Sequence, residues 1–517
     1  MSAAAAAKKP VNPWLIAVVV AVAAFMEVLD TTIANVALLY VAGSLGVSED
    51  ESSWVVTTYL VANAIIVTAT AYLARKIGRK RFFLICLGLF TASSVGCGFS
   101  WSLDALLFFR IFQGFAGGGM VPVAQSILAD SFPPEKRGQA FALFGLAVVV
   151  APAIGPTLGG WLSDNWSWHW CFLINAPVGI FALLLISALI EEKKDPTPIR
   201  FDAIGFALVA LFLGAMEIVL DRGQIEDWFD SALIVRFSAV CAIAFVLLIP
   251  WELRRKQPLV DLRLIATRQF GACFVVMAAT GAILLATTNF MPQLVQQDFG
   301  YTATWAGLSL SPGGVVSVLA MFAVGQLTRR VQPKYLIAAG AAICAGSMFW
   351  LTTISPDTDF WLFAKTRMLI GVGLPLIFIP ITAASYDGLK PGQTDTASAL
   401  LNAARNTGGS IGVSLANNVL ARREQFHQSR LVESVIPSSV PYQQTLAQAT
   451  HAFAEGGSGA SAPHQALAWI GQQVQAQASL LAYIDVFHVL MLMALGAIPL
   501  ALILRNVKLG GAAPSGH

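Results

Sequence analysis

The sequence predicts an all-α integral membrane protein: two six-helix bundles with two helices inserted between them, fourteen spans in all. Three observations carry that expectation. Hydrophobic residues make up 56% of the chain and charged residues only 12%, against about 25% charged in soluble domains; mean hydropathy is +0.69. Apolar runs of about 20 residues, enough to cross a bilayer core, begin near Trp14, Ser52, Phe82, Ala105, Gly138, Trp168, Asp202, Ser231, Phe270, Ala303, Lys334, Trp361, Asp395 and Ile484. The chain also repeats itself. Arg110 followed by Gly114 returns as Arg367 followed by Gly371, and the same shift of 257 carries Ala140 to Ala397, Ile154 to Ile411 and Gly155 to Gly412. The stretch AYLARKIGRK (71–80) returns as GQLTRRVQPK (325–334).

These elements divide the chain into a tail (1–13), a first bundle (14–190), an inserted pair with linkers (191–269), a second bundle (270–505) and a final tail (506–517). The inserted helices cover roughly 202–220 and 231–250. With the first residue in the cytoplasm, 23 of the 32 Lys and Arg fall in cytoplasmic segments, the five of RKIGRKR (75–81) foremost. Only Arg222, Arg422, Arg423 and Arg430 fall opposite, so both termini are expected to be cytoplasmic. The first run is too long, and too acidic at its middle, for a cleaved signal peptide.

Several function classes are disfavoured. A net charge of +3 is too small to suggest nucleic acid. The cysteines (Cys86, Cys97, Cys171, Cys241, Cys273, Cys344) lie inside apolar runs without metal-ligand spacing and read as small buried hydrophobes. No GxxxxGK[ST] and no nucleophile–base constellation is present. Neither an enzyme nor a nucleotide-driven pump is expected; no cofactor is implied, and the proton-motive force is left as the energy source.

The stretch AFMEVLDTTIANVA (24–37) organises the rest. Glu27 and Asp30 are three apart, hence on one helix face. An ionised carboxylate at mid-bilayer costs about 2.5–3.5 kcal/mol, so the two should face a cavity or a buried partner. They read as a proton-binding site in a transport pathway, or as neutral acids joining helices. Arg110, inside the fourth span, needs a carboxylate, and Asp30 or Glu27 is the candidate, as a switch or as a fixed anchor. In GPTLGG, Pro156 removes a backbone hydrogen bond while Gly155, Gly159 and Gly160 permit close packing. RKIGRKR reads as a topology determinant or as a latch.

In the second half, Arg405 with Asn402 and Asn406 forms a polar face, whereas Arg367 and Lys365 have no acid nearby. Glu217 and Asp221 share a face of the inserted pair, outside both bundles, and Glu217 is expected to be structural or to meet a partner. A cavity for amphiphiles should be large and aromatic-lined, with few fixed polar groups and an acid where cations are taken; its candidates are Trp54, Tyr59, Asn63, Gln125, Phe290, Gln293, Asn402 and Arg405. Residues 422–483 form the only long loop, outside the membrane, with a polar helical stretch at 422–435.

The motifs LDTTIANVAL (29–38), RKIGRKR, RIFQGFAGG (110–118), APAIGPTLGGW (151–161), LDRGQIEDWF (220–229) and NAARNTGGSIG (402–412) give the family resemblance. Over nearly its whole length the chain resembles the fourteen-helix drug:proton antiporters of the major facilitator superfamily, in the EmrB/QacA branch. The resemblance implies a proton-coupled antiporter that exports amphipathic drugs or toxic compounds across the bacterial inner membrane by alternating access. The alternative is export of one defined metabolite or siderophore on the same fold. It assigns proton coupling to Asp30, Glu27 and Arg110, the antiporter motif to Gly155, Pro156, Gly159 and Gly160, and gating to Arg75, Gly78, Arg79 and Lys80. For the long loop it implies a periplasmic adaptor (a membrane fusion protein) leading to an outer-membrane channel; a solvated excursion without a partner is the other reading. Three positions depart from the family pattern: Ala71 and Arg75 stand where Gly and Asp are common, and Glu27 where Gln is common.

Overall fold

The computed structural model describes residues 12–192, 202–255, 258–328, 330–389, 393–455 and 461–506. Lys8, Lys9, Lys193, Lys194, Arg200, Lys256, Arg329, Lys390, Lys508 and part of the Gly/Ser/Ala tract (456–460) lie outside them.

The first bundle runs α1 (Pro13–Leu45), α2 (Glu49–Ile77), α3 (Arg79–Gly98), α4 (Leu103–Ser131), α5 (Pro134–Asn165), then α6 (Trp170–Leu173) and α7 (Asn175–Leu189), which together make the sixth span. The insert is α8 (Ala203–Arg222) and α9 (Ala232–Arg254). After a short α10 (Leu262–Ile265) come α11 (Arg268–Gln297), α12 (Ala303–Leu327), α13 (Pro333–Leu351), α14 (Phe360–Ser385), α15 (Thr394–Ser434), α16 (Val440–Phe453) and α17 (Ala462–Leu502). No strand occurs among the described residues.

Local chemistry fixes the boundaries. Gly46 ends α1 in the left-handed region at φ 66°, which a residue without Cβ enters at little cost. Ser48 and Glu51 then form a reciprocal capping box on α2, meeting two otherwise orphaned amides. Pro152 and Pro156 lie inside α5, and the helix bends by 43° between Gln139–Pro152 and Ile154–Asn165, as the loss of backbone donors predicts.

The repeat seen in sequence returns in packing. α1 lies on α5 as α11 lies on α15, and α2 on α4 as α12 on α14. One apolar core gathers residues from Leu264 to Leu504, with Ala142 the contribution from α5; two others are confined to the first bundle. The bundles meet where α2 and α4 face α15 and where α5 faces α12. α8 and α9 pair with each other, and α8 lies against α2 and α15. Leu247, Val246 and Ile243 on α9 are exposed, the apolar face a lipid-bound helix presents.

Among the described residues, twelve helices are long and apolar enough to cross a membrane, thirteen with the bent α5 counted as one span. α15 supplies the fourteenth by packing, although its polar sequence hides it from hydropathy. The expected thirteenth span ends before Arg422, but α15 continues to Ser434. Likewise α17 begins at Ala462, well before Ile484. Each has 41 residues, or about 60 Å of helix, roughly twice the bilayer core. The expected loop is therefore largely helical: both helices project beyond the membrane and α16 packs on α17. Arg423 and His427 of α15 converge on Asp485 of α17, at 2.5 and 2.8 Å.

Candidate functional site

A cavity of about 650 Å³ lies between the bundles. Its walls come from the later turns of α1, α5, α8 and α11, the middle of α15, the early turns of α2 and Arg110 of α4. Because α2 runs antiparallel to α1, all these turns belong to one end of the molecule.

The opposite end is bridged. Arg79, at the head of α3, pairs with Asp130 of α4 and reaches Asp395 of α15 at 2.9 Å. Deeper in, Gln125 Oε1 accepts hydrogen bonds from Asn402 Nδ2 (2.7 Å) and Ser398 Oγ (3.1 Å), and Phe141 stacks on Tyr386. Of the expected gating residues, Arg79 makes the bridge. Arg75 donates only to Ala71 O of its own helix and Lys80 to Ser187 O. Gly78 has φ 100° and no room for a Cβ beside Glu192.

Asp30 is enclosed at mid-depth. Arg110 Nη1 donates to its Oδ2 at 2.6 Å, and Gln113 Nε2 and Asn175 Nδ2 both donate to its Oδ1 at 2.8 Å. Arg110 also donates to Val55 O and Gln113 Oε1, and its guanidinium lies 4.6 Å from the Tyr59 ring centroid. Both members of the ion pair have side chains at 0% exposure. Such a pair holds only when most of its remaining hydrogen-bonding capacity is met. Arg110 Nη2 has no hydrogen-bond partner among the described residues, and the guanidinium lies against the Tyr59 and Phe172 rings; the remaining capacity of Asp30 is met by Gln113 and Asn175. Neither was singled out from the sequence, though a lone Asn in the apolar run WCFLINAPVG is the kind of signal that marks a partnered site.

Glu27 faces elsewhere. It lines the cavity, and its Oε1 accepts from Tyr59 Oη (3.2 Å) and Asn63 Nδ2 (3.1 Å). Asn63 Oδ1 accepts in turn from Asn406 Nδ2 of α15 at 3.2 Å. Asn406 Oδ1 then accepts from Arg405 at 3.3 Å. A polar chain Glu27–Asn63–Asn406–Arg405 thus crosses the seam, and Arg405 Nη1 has no partner among the described residues. A helix turn advances about 100° per residue, so positions three apart separate enough for Asp30 to meet α4 while Glu27 meets the cavity.

The other expected positions divide. Tyr59, Asn63, Phe290, Gln293 and Arg405 line the cavity. Trp54, Gln125 and Asn402 do not. Trp54 lies under the Arg222 guanidinium, 4.8 Å away, and Gln125 and Asn402 belong to the bridged end. Among the described residues Tyr59 and Phe290 are the only aromatic ones on the wall, so in place of the expected aromatic lining it is aliphatic and amide-rich. Gly155 and Gly159 bring α5 onto Thr32 and Ile33 of α1: a Cβ at Gly155 would collide with Thr32, and one at Gly159 would press tightly on Ile33; Gly160 approaches Val36 more loosely, and Pro156 lines the cavity. Arg367 donates to Thr287 Oγ1 and Thr288 Oγ1 at 3.0 and 3.1 Å. Glu217 and Asp221, expected outside both bundles, line the cavity, because α8 fills the seam between α2 and α15.

Comparison with known proteins agrees with this architecture. The chain is 36% identical over 475 residues to the multidrug export protein EmrB of Escherichia coli, covering 92% of this chain and 91% of that one. It is 36% identical over 427 residues to the fatty acid resistance protein FarB of Neisseria gonorrhoeae, covering 82% and 84%. The fold matches the human organic anion transporter MFSD10 with a TM-score of 0.57 at 16% identity, covering 94% of this chain and 100% of that one. The pattern described as Major Facilitator Superfamily matches residues 20–413. The chain therefore belongs to the Major Facilitator Superfamily, as a multi-pass membrane protein.

Proposed function

We propose that the chain exports amphipathic small molecules by alternating access, in exchange for protons. One observation carries this reading: a fully buried carboxylate–guanidinium pair, Asp30–Arg110, sits beside a cavity confined to one end while polar bridges join the bundles at the other. The similarity to multidrug export proteins supports the substrate class. In this reading the basic segments lie in the cytoplasm of a bacterial cell, with both termini, so the bridged end is cytoplasmic and the cavity faces outward across the inner membrane. Protonation of Glu27 or Asp30 changes the charge balance around Arg110 and Arg405 and so biases the two arrangements of the bundles. Each proton entering contributes about 2.3 kcal/mol per 100 mV, without any cofactor. The projecting α15–α16–α17 helices are the part that would meet a periplasmic adaptor and, through it, an outer-membrane channel.

The test is efflux from proteoliposomes under an imposed pH gradient, with a panel of unrelated cationic, anionic and neutral dyes. Movement of several, lost when the gradient collapses, is expected. Movement of a single compound would point to one defined solute, and movement indifferent to the gradient would remove the proton.

A further inference from the structure

We propose, on the basis of the export reading above, that Glu217 of the inserted helix α8 is a recognition carboxylate for organic cations within the cavity.

The first ground is where α8 is held. Asp221 accepts from Thr57 of α2, and Arg222 donates to Asp50 O at 2.9 Å and to Ser53 while covering Trp54. Val209 and Leu213 of α8 share an apolar cluster with Ala64 and Tyr72 of α2. These contacts fasten α8 to the first bundle. The contacts it makes with the second bundle at the cavity are thinner: Ser410 Oγ donates to Glu217 Oε1 at 2.6 Å, and Gln224 meets Asn418 at 3.5 Å. The insert is thus a wall of the cavity that travels with one bundle and faces the other.

The second ground is how Glu217 is partnered. It is 3% exposed, and Ser410 is its one hydrogen-bond partner among the described residues. No Lys, Arg or His lies within ion-pair distance of it among them. Asp30, by contrast, holds three donors including a guanidinium. A carboxylate at this depth with one hydroxyl for company is under-compensated, and the space beside it is large enough for an amphiphile, with Leu60, Leu220 and Val413 as apolar wall. A positively charged centre on an apolar body complements that environment. The other charged side chains on the wall are Asp221 on α8, Glu27 on α1, Arg110 on α4 and Arg405 on α15. Glu27 already accepts from two donors. Asp221, like Glu217, accepts from one hydroxyl, but that hydroxyl is Thr57 of the bundle to which α8 is fastened, whereas the partner of Glu217 lies on the other bundle.

The third ground is linkage. One carboxylate is neutralised either by a proton or by an organic cation, so the two ligands disfavour one another there. Mutual exclusion of that kind is what exchange requires, and by reciprocity each weakens the other equally.

The test uses the full-length protein in lipid nanodiscs, with tetraphenylphosphonium as the cation and chloramphenicol as a neutral amphiphile. Glu217→Gln should weaken tetraphenylphosphonium about tenfold or more, the scale of one charge-assisted contact, and leave chloramphenicol unchanged. Glu217→Asp should retain most of the cation affinity. Unchanged cation binding in Glu217→Gln, or equal loss of both compounds, would overturn the proposal. Should that variant not fold, labelling of wild-type Glu217 by dicyclohexylcarbodiimide, read by peptide mass spectrometry, decides the matter. Protection by tetraphenylphosphonium is expected. Labelling indifferent to the cation counts against the proposal, and so does absence of labelling, since a carboxyl beyond reach of that reagent cannot meet a cation of similar bulk. Proteoliposomes that move neutral but not cationic amphiphiles would sink the Glu217 assignment and leave export standing; if no amphiphile moves, the export reading fails.

Discussion

Arg110 and Arg367 occupy corresponding positions in the two bundles, yet their surroundings are opposite. Arg110 is paired with Asp30 at 2.6 Å inside a shell of amides. The shift of 257 that relates the two arginines carries Asp30 to Thr287, and there Arg367 finds only the hydroxyls of Thr287 and Thr288. Those hydroxyls also donate to Ile283 O and Leu284 O of their own helix at 2.7 Å, so they are satisfied without Arg367. The same scaffold therefore carries a closed ion pair on one side and an isolated cation on the other. Protonation of a carboxylate beside a buried guanidinium changes the net charge of the pair, and among the described residues the first bundle places such a carboxylate at this arginine while the second does not. The difference teaches that the repeat conserves helix packing, while chemistry is placed in one copy alone.

That contrast can be broken, and the largest effect is expected at the acid. Asp30→Asn should abolish pH-driven efflux while the protein still inserts, and thermal unfolding in detergent should fall, since an orphaned buried charge costs about 3–5 kcal/mol. Full pH-driven efflux in that variant would remove Asp30 from the mechanism. Next, Arg110→Lys should lose most transport, because an ammonium cannot reproduce the guanidinium contacts to Asp30, Val55 and Gln113. Near-normal rates would favour a fixed anchor. In the other bundle Arg367→Met should leave the unfolding midpoint unchanged or raised, for it removes a buried charge that has no acid partner. A drop as large as that of Arg110→Met would erase the distinction between the bundles.

Smaller effects are expected toward the ends. Asp395→Asn removes the buried arm of the Arg79 bridge, but Arg79 keeps Asp130 as an acid partner, so the cost should fall short of the about 3–5 kcal/mol of an orphaned buried charge. Cysteine accessibility at the bridged end should rise modestly, and no change would show that Gln125, Ser398 and Asn402 hold it closed unaided. Deleting residues 455–464 should leave proton-coupled efflux from vesicles intact; a loss there would tie the projecting helices to transport itself.

Much of the bundle was legible beforehand because a span must satisfy its own backbone in lipid, which writes it into the chain as an apolar run. α15 escaped that rule in part. Its Asn, Ser and Gly residues face α11, α2 and the cavity rather than lipid, so hydropathy understates it, and its extension to Ser434 leaves no apolar trace. The Asp30–Arg110 pair was readable because two opposite charges in hydrocarbon leave few other solutions. Gln113 and Asn175 were not, since an uncharged amide in a span is cheap enough to have many uses. Trp54 and Gln125 were misplaced for a related reason: residue type says nothing of which neighbour claims it first.

The sequence by itself set out the apolar spans, the repeat, and which side chains could not face lipid unpartnered, because transfer into hydrocarbon is a property of each segment alone. Only the tertiary structure decided that Asp30 turns to α4 while Glu27 turns to the cavity, that Arg79 bridges to Asp395, and that the inserted α8 brings Glu217 to the wall. Those outcomes depend on which helix faces fill which seam, and that is set by packing between segments distant in the chain.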